Sequence, residues 1–239
     1  AAGDFTLENF ARMGTYTAVF TRSFKLAIIA TLIALLIGYP VSYMLSKEGP
    51  QVQRIAMVLI MLPMWMNFLL RTYSWMTILE NNGLLNQLFQ QIGLIDLYNQ
   101  IAMHFASDPA AYVPIDHFQM IGTQGAVVLG MVYNYLPFMI LPIYSVLVKL
   151  DHSLIDAARD LGASSVQVFR KVILPLSLPG VLSGITMVFV PAVSTFAISR
   201  LLGGGNQTLL GNLIEMQFVG TAYNPHLGSG VALWWSVCM

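Results

Sequence analysis

Four stretches of this chain are each long and apolar enough to cross a lipid bilayer: about Ser23 to Leu45, Ile55 to Leu79, Gly125 to Val148 and Gly180 to Leu202. A fifth begins near Gly228 and runs apolar to Met239. Each complete run is close to the roughly 20 residues that span hydrocarbon at about 1.5 Å rise per residue. In lipid a backbone must satisfy its own N–H and C=O groups, so runs of this kind fold as helices. Soluble cores also hold long apolar helices, but they need a charged exterior. Only 9% of these 239 residues are charged, against about 25% in soluble domains. The expectation is an all-α, polytopic transmembrane helical bundle, folded as one domain over residues 1–239.

Lysine and arginine gather on the cytoplasmic side of membrane proteins. The segment from Ser46 to Arg54 carries Lys47 and Arg54, and the loop from Lys149 to Pro179 carries Lys149, Arg159, Arg170 and Lys171. The long connection from Glu80 to Gln124 carries no lysine or arginine, only Glu80, Asp96, Asp108 and Asp116. The two basic loops are therefore read as cytoplasmic and the long one as external. Ala1 to Arg22 then falls outside, although its Arg12 and Arg22, with Lys25 just beyond, pull the other way. An outside start without a signal peptide implies a preceding span. With that span and a completed last one, the full count is six helices, the first missing here and the last truncated. A bacterial cytoplasmic (inner) membrane is the expected location. Formal net charge is zero, which gives no field to attract nucleic acid. The single cysteine, Cys238, excludes an intrachain disulfide and reads as a small apolar helix residue. The histidines are scattered without metal-ligand spacing.

In the external connection, Asn81-Asn82-Gly83 and Ser107-Asp108-Pro109 read as turns. Leu84 to Ile101 alternates apolar and amide residues and predicts one or two short interfacial helices. Pro137, Pro142 and Pro191 are expected to mark bends in the spans.

The most informative stretch is the cytoplasmic loop 149–179. Ser153, with Asp156 three residues on, is a weak capping box that predicts a helix start. Gly162 offers a stop. Ser164 or Ser165 can cap a second short helix over Val166 to Val172, which Pro175 would end. Ala157 and Ala158 make a small-residue face, and Leu154, Leu161, Val166 and Phe169 offer apolar contacts. A tether between spans needs only a median of about 4–6 residues, so a patterned insertion this long asks for a protein partner.

These residues resemble a known family. Asp156-Ala157-Ala158, three residues, Gly162, nine residues and Val172-Ile173-Leu174-Pro175 is similar to the Glu-Ala-Ala loop of binding-protein-dependent ABC importer permeases, with Asp156 for Glu and Val172 for Ile. The resemblance implies a type I permease fold in which the loop is the coupling helix that docks on an ATPase. It implies as partners a second permease subunit in a heterodimer, two ATPase subunits and an extracytoplasmic substrate-binding protein. It also implies no cofactor in this chain, with ATP and Mg on the ATPase. No GxxxxGK[ST] element is present, so the chain carries no phosphate-binding loop of its own. The resemblance extends further. Gly38-Tyr39-Pro40, Leu62 to Asn67, Tyr135 to Met139, Ser199 to Gly205 and Leu209 to Asn212 are similar to the B-type permeases of spermidine/putrescine importers. Permeases for ferric iron, thiamine or phosphonates share much of this framework.

A polycationic cargo would favour a carboxylate in its path, yet the complete spans contain no Asp or Glu. Asn67, Arg71 and Ser74 recur at three-to-four spacing, a polar stripe that should face the bundle interior or a watery cavity, with Met64 and Trp75 beside it. Arg71 lies eight residues from the outer end of its run, and Tyr133 to Tyr135 eight to ten from theirs. Both depths are roughly 12–15 Å, so one shared vestibule is expected. Trp65, Trp75, Tyr133 and Tyr135 can hold ammonium groups by cation–π contact, about 0.5–2 kcal/mol each. Trp75 also suits a plain interfacial anchor. Arg71 would repel a polycation, and its expected role is to pair with a carboxylate or backbone carbonyls, or to snorkel outward. Glu215, between the fourth and fifth runs, faces either the vestibule or water. A secondary transporter would show coupling carboxylates or matched interrupted helices, and an intramembrane enzyme would show an element such as HExxH or GxSxG. None is seen.

Overall fold

The computed structural model describes residues 17–105, 113–205, 207–219 and 225–238, all of whose regular elements are helical. The turn expected at Ser107-Asp108-Pro109 and the segment around Arg12 lie outside the described residues.

The first apolar run forms α1, Thr17–Lys47, which ends on the basic Lys47. Its buried positions include Ser23, Ala27, Ala30, Ala34, Gly38 and Ser42. They recur every three or four residues and are nearly all small, so they form one seam along which other helices approach closely. Across the basic loop, the second run follows as α2, Pro50–Trp65, and α3, Phe68–Leu79. The external connection folds as α4, Leu84–Gln91, and α5, Leu94–Phe105, as its pattern predicts. The third run forms α6, Gln124–Leu147, capped by Thr123, whose Oγ1 accepts from the Ala126 amide at 3.2 Å. The loop 149–179 supplies α7, His152–Asp160, and the start of α8, Ser165–Ser194. After it come α9, Ala197–Leu202, α10, Leu210–Phe218, and α11, Pro225–Cys238.

The centre of the bundle is α1, α6 and α8, which pack on one another. On α8, Gly180 and Gly184 stand one turn apart against α6. A β-carbon at Gly180 would lie 2.8 Å from the Pro142 carbonyl oxygen, and one at Gly184 would lie 2.8 Å from Met139 Sδ. Small residues at this spacing let two helix backbones touch where no solvent drives them together. Ser42 Oγ donates to the Ile140 carbonyl at 3.1 Å and ties α1 to the same stretch of α6.

Two expected single helices are not single. The second run is broken at Met66-Asn67, where Pro50–Trp65 meets the stretch Phe68–Gln91 at 89°. Met66 N reaches back to the Pro63 carbonyl at 3.3 Å in a tightened last turn. Asn67 then accepts from the Leu69 amide at 2.8 Å and starts α3 as its N-cap. Asparagine is among the best caps, and here capping wins over a hydropathy that is continuous through the break. The fourth run is displaced as well. Its helix begins at Ser165, on the cytoplasmic loop, and ends at Ser194, where Thr195 is extended. The Asn212 side-chain amide donates to the Phe196 carbonyl at 3.0 Å, which also accepts from the Arg200 amide at 2.9 Å, and so braces the start of the helix after the break. Three described helices are thus long and apolar enough to cross a membrane, and a fourth crossing is available if the bent pair counts as one. Pro137, Pro142 and Pro191 lie inside unbroken helices; both breaks fall elsewhere.

Candidate functional site

In the loop 149–179, Asp151, not Ser153, is the N-cap of α7, its carboxylate accepting from the Ser153 amide at 2.9 Å. The capping box expected at Ser153 and Asp156 does not form, because the helix starts at His152 and Ser153 is already inside it. Asp156 instead lies 3.8 Å from Arg159, both largely exposed. Gly162 ends the helix as expected. Its φ is +80°, and the Gly162 and Ala163 amides donate back to the Arg159 and Ala158 carbonyls at 2.8 and 3.1 Å. This is the paired Schellman closure, which needs a left-handed residue. Ser164 then caps α8 with a reciprocal box. Its amide donates to Gln167 Oε1 at 2.8 Å, and its Oγ accepts from the Gln167 amide at 3.4 Å.

Pro175 does not end the second helix. Residues Phe169–Ile173 form a π turn, in which the Leu174 amide reaches the Phe169 carbonyl five residues back. Pro175 falls in the first turn after it, so its missing N–H and its ring meet a backbone already off α register. The helix therefore runs from the loop 149–179 straight into the apolar span.

The apolar residues of this loop divide into two sets. Leu161 is 88% exposed and Val166 68%, with Leu154 and Ala157 also outward. Phe169 was expected among the outward contacts but turns inward. Its ring meets Tyr39 edge-on at 5.9 Å and Tyr43 at 5.5 Å, both on α1. Tyr39 in turn shares a 2.9 Å hydrogen bond with Ser177 of α8, and the Lys47 Nζ stands 4.0 Å over the Tyr43 ring. Ala158, Ala163 and Ile155 pack beneath α7 against the same cluster. Of the small-residue face, only Ala157 is thus free to meet another protein. The Tyr39–Tyr43 pair was the sequence signal for this clamp: two aromatics four residues apart share one helix face.

The residues expected to line a pathway are only partly brought together. Trp75 and Tyr133 meet edge-on with ring centroids 5.2 Å apart. The depths matched in sequence were those of Arg71 and Tyr133 to Tyr135; the contact is made one turn further along α3, at Trp75. Tyr135 turns to the Pro191 carbonyl, its hydroxyl donating at 3.4 Å. Trp65 stands 78% exposed at the end of α2. The polar stripe does not hold: Asn67 is a cap outside the helix, Arg71 is buried and Ser74 is exposed. The spacing itself survives in α3, where the Arg71 amide donates to the Asn67 carbonyl at 3.1 Å, but the three side chains meet different surroundings. Glu215 lies elsewhere, on α10, where its carboxylate accepts from Arg200 Nη1 at 2.9 Å. The pair flanks a cavity of about 360 Å³ lined also by Ser199, Gln207, Thr208 and Asn212. Arg200 belongs to the Ser199–Gly205 block, but its charge can be matched to Glu215 only once α9 and α10 fold against each other.

A family model described as the binding-protein-dependent transport system inner membrane component matches residues 30–235. The chain belongs to this family. The permease is 38% identical over 217 residues to the spermidine/putrescine transport system permease protein PotB of Escherichia coli K12, covering 90% of this chain and 72% of that protein. It is also 38% identical over 236 residues to PotB of Haemophilus influenzae, covering 98% and 76% respectively. Among solved structures, a bacterial ABC transporter that imports the acidic polysaccharide alginate superposes with a TM-score of 0.66 at 15% identity, over 99% of this chain and 80% of that one. The methionine ABC transporter MetNI superposes at 0.61 and 18% identity, over 95% and 91%. At such identities these structures establish the permease fold, which the all-α bundle was expected to be. The permease is a multi-pass, non-catalytic component of the inner membrane.

Proposed function

We propose that this permease lines half of the path by which an ABC importer takes up polyamines, spermidine or putrescine, driven by ATP hydrolysis on a separate ATPase pair. The observation that carries the reading is the 38% identity to PotB over nine-tenths of the chain. A second permease subunit completes the path, and an extracytoplasmic binding protein delivers the cargo. The loop 149–179 is the docking element. Leu161 and Val166, exposed on either side of the rigid Gly162 corner, enter the ATPase groove with Asp156 and Ala157. Phe169 then couples motion of α7 to α1, because it is held between Tyr39 and Tyr43.

For the cargo path, Trp75 and Tyr133 offer a joined aromatic wall with π faces for ammonium groups. Trp65, Asn67 and Tyr135 border the path from the limbs of the bent span and from α6. Glu215 contributes negative charge, moderated by Arg200. Uptake of labelled putrescine and spermidine into cells expressing the complete importer tests this, with ferric iron, thiamine and a phosphonate as competitors. Polyamine uptake that the other solutes do not inhibit is expected. Uptake of one of those solutes in its place would reassign the cargo. Trp75→Ala is expected to lower polyamine uptake several-fold. If Trp65→Ala, Trp75→Ala and Glu215→Gln all leave it unchanged, the path assignment is wrong.

A further inference from the structure

A cavity of about 300 Å³ lies beside α7, between the ends of α1 and α6 and the start of α8. Its floor is apolar. Leu147, Val168 and Ile173 are buried there, with Leu150 and Ile155 beside them. Its rim is polar and cationic. Lys47 closes α1, Arg159 stands in the last turn of α7, and Ser165 opens α8. The positive end of the α8 dipole therefore adds to the two cations. Both cationic side chains are exposed, so a group at the cavity mouth can reach them without moving a helix. Lys47 Nζ stands 4.0 Å over the Tyr43 ring, a contact that leaves the ammonium N–H donors to spare for an oxygen. Asp156, on the same rim, approaches Arg159 only to 3.8 Å, with both side chains well exposed. Water screens such a pair strongly. Among the described residues the lining thus carries two cations against one carboxylate.

Cations above and hydrocarbon below do not suit a free anion, which leaves the floor uncovered. They suit an anion with an apolar tail. The lysine and arginine pattern turns this end of the bundle to the cytoplasm, where the leaflet carries anionic lipid. Lys47 also ends the long apolar helix α1, which sets the cavity at the level of the lipid headgroups. We propose that this cavity seats an anionic phospholipid, its phosphate held between Lys47 and Arg159 and the first methylenes of one tail over Leu150 and Ile155. A molecule seated there touches α1 and α7 together and braces one against the other, alongside the Phe169 clamp. The bracing role rests on the docking reading above; the binding does not.

The test purifies the complete importer in detergent, adds phosphatidylglycerol or phosphatidylcholine, and counts retained lipid by native mass spectrometry. Phosphatidylglycerol is expected to be retained roughly fivefold better, the share of one net positive charge near a headgroup. Lys47→Gln combined with Arg159→Gln is expected to abolish the preference. Arg54→Gln, at a cation that does not line the cavity, is expected to keep it. Should the double variant fail to accumulate, each single change is expected to lose part of the preference. The same preference in wild type and in these variants overturns the proposal. Excess glycerol phosphate is expected not to displace the lipid. If it does, the ligand is a soluble phosphate ester and the lipid assignment fails. In vesicles, uptake per ATP is expected to rise when phosphatidylglycerol is added to phosphatidylcholine, in wild type but not in the double variant. Lipid that binds with the expected preference yet leaves this ratio unchanged overturns the bracing role and the docking reading behind it, while the site itself stands.

Discussion

The docking loop and the bent second span make an instructive pair. Both are places where a helix stops and another begins within a few residues. In the loop the stop is made by Gly162 at φ +80°, with two back-bonds and a capping box at Ser164. In the span it is made by a tightened turn after Pro63 and a single side-chain cap from Asn67. The loop corner is over-determined and open to water. The span corner is held by few bonds and flanked by exposed apolar side chains such as Trp65 and Met66. Under the proposed function, the rigid corner is the one that transmits force and the sparsely bonded corner is the one that borders the transport path.

The largest test of this contrast is Gly162→Val. A β-carbon there meets nothing within 4 Å, so the whole cost is the left-handed backbone, about 1–2 kcal/mol and more for a branched residue. Uptake is expected to fall at least tenfold at normal membrane abundance, while ATP hydrolysis continues uncoupled. Gly162→Asn, which tolerates that conformation, should retain part of the transport. Wild-type uptake by the Val variant would show that the corner need not be rigid. Next in size is Phe169→Ala. Each edge contact with Tyr39 and Tyr43 is worth about 0.5–1.5 kcal/mol. The variant should still bind the ATPase yet transport several-fold less per ATP, as measured in proteoliposomes. Loss of ATPase binding would instead make Phe169 part of the docking surface. The smallest expected effect is at the caps. Asn67→Ala and Asp151→Ala should each lower stability by about 1 kcal/mol. A melting comparison in detergent checks this, with Asn67→Asp and Asp151→Asn near neutral. If Asn67→Ala costs much more than Asp151→Ala, the span corner leans on its single cap more heavily than the loop corner does.

The contrast also separates what could be read from the residues alone. The loop was legible because its signals are local: Ser164, Gly162 and the spacing to Pro175 act within a turn or two. Its errors were local too, a cap misplaced from Asp151 to Ser153 and a proline assumed to be a stop. The number and approximate position of the apolar runs followed from the cost of burying backbone in lipid. The breaks did not. Met66, Trp65 and Phe196 are as apolar as their neighbours, so hydropathy passes through both interruptions unaltered. The inward turn of Phe169 and the pairing of Arg200 with Glu215 were hidden for a different reason: each depends on how two separate helices meet in space, distant in sequence for Phe169 and consecutive for Arg200. The contact of Trp75 with Tyr133 was not legible, because matching depths by rise per residue paired Arg71 with Tyr133 to Tyr135 and the true contact lies one turn further along α3.

The π turn at Phe169–Ile173 has a geometric corollary. It accommodates one residue more than an α-helical path between the same end points would hold. Removing a single residue there would let an ordinary α path join the same end points, so the segment before the turn would keep its direction while the helix lost its spare residue. Adding a residue outside the turn would instead, at about 3.6 residues per turn, swing everything before it by about 100° around the axis of α8. The angular setting of the loop against the rest of α8 is thus tied to a count of residues, one of which the π turn absorbs.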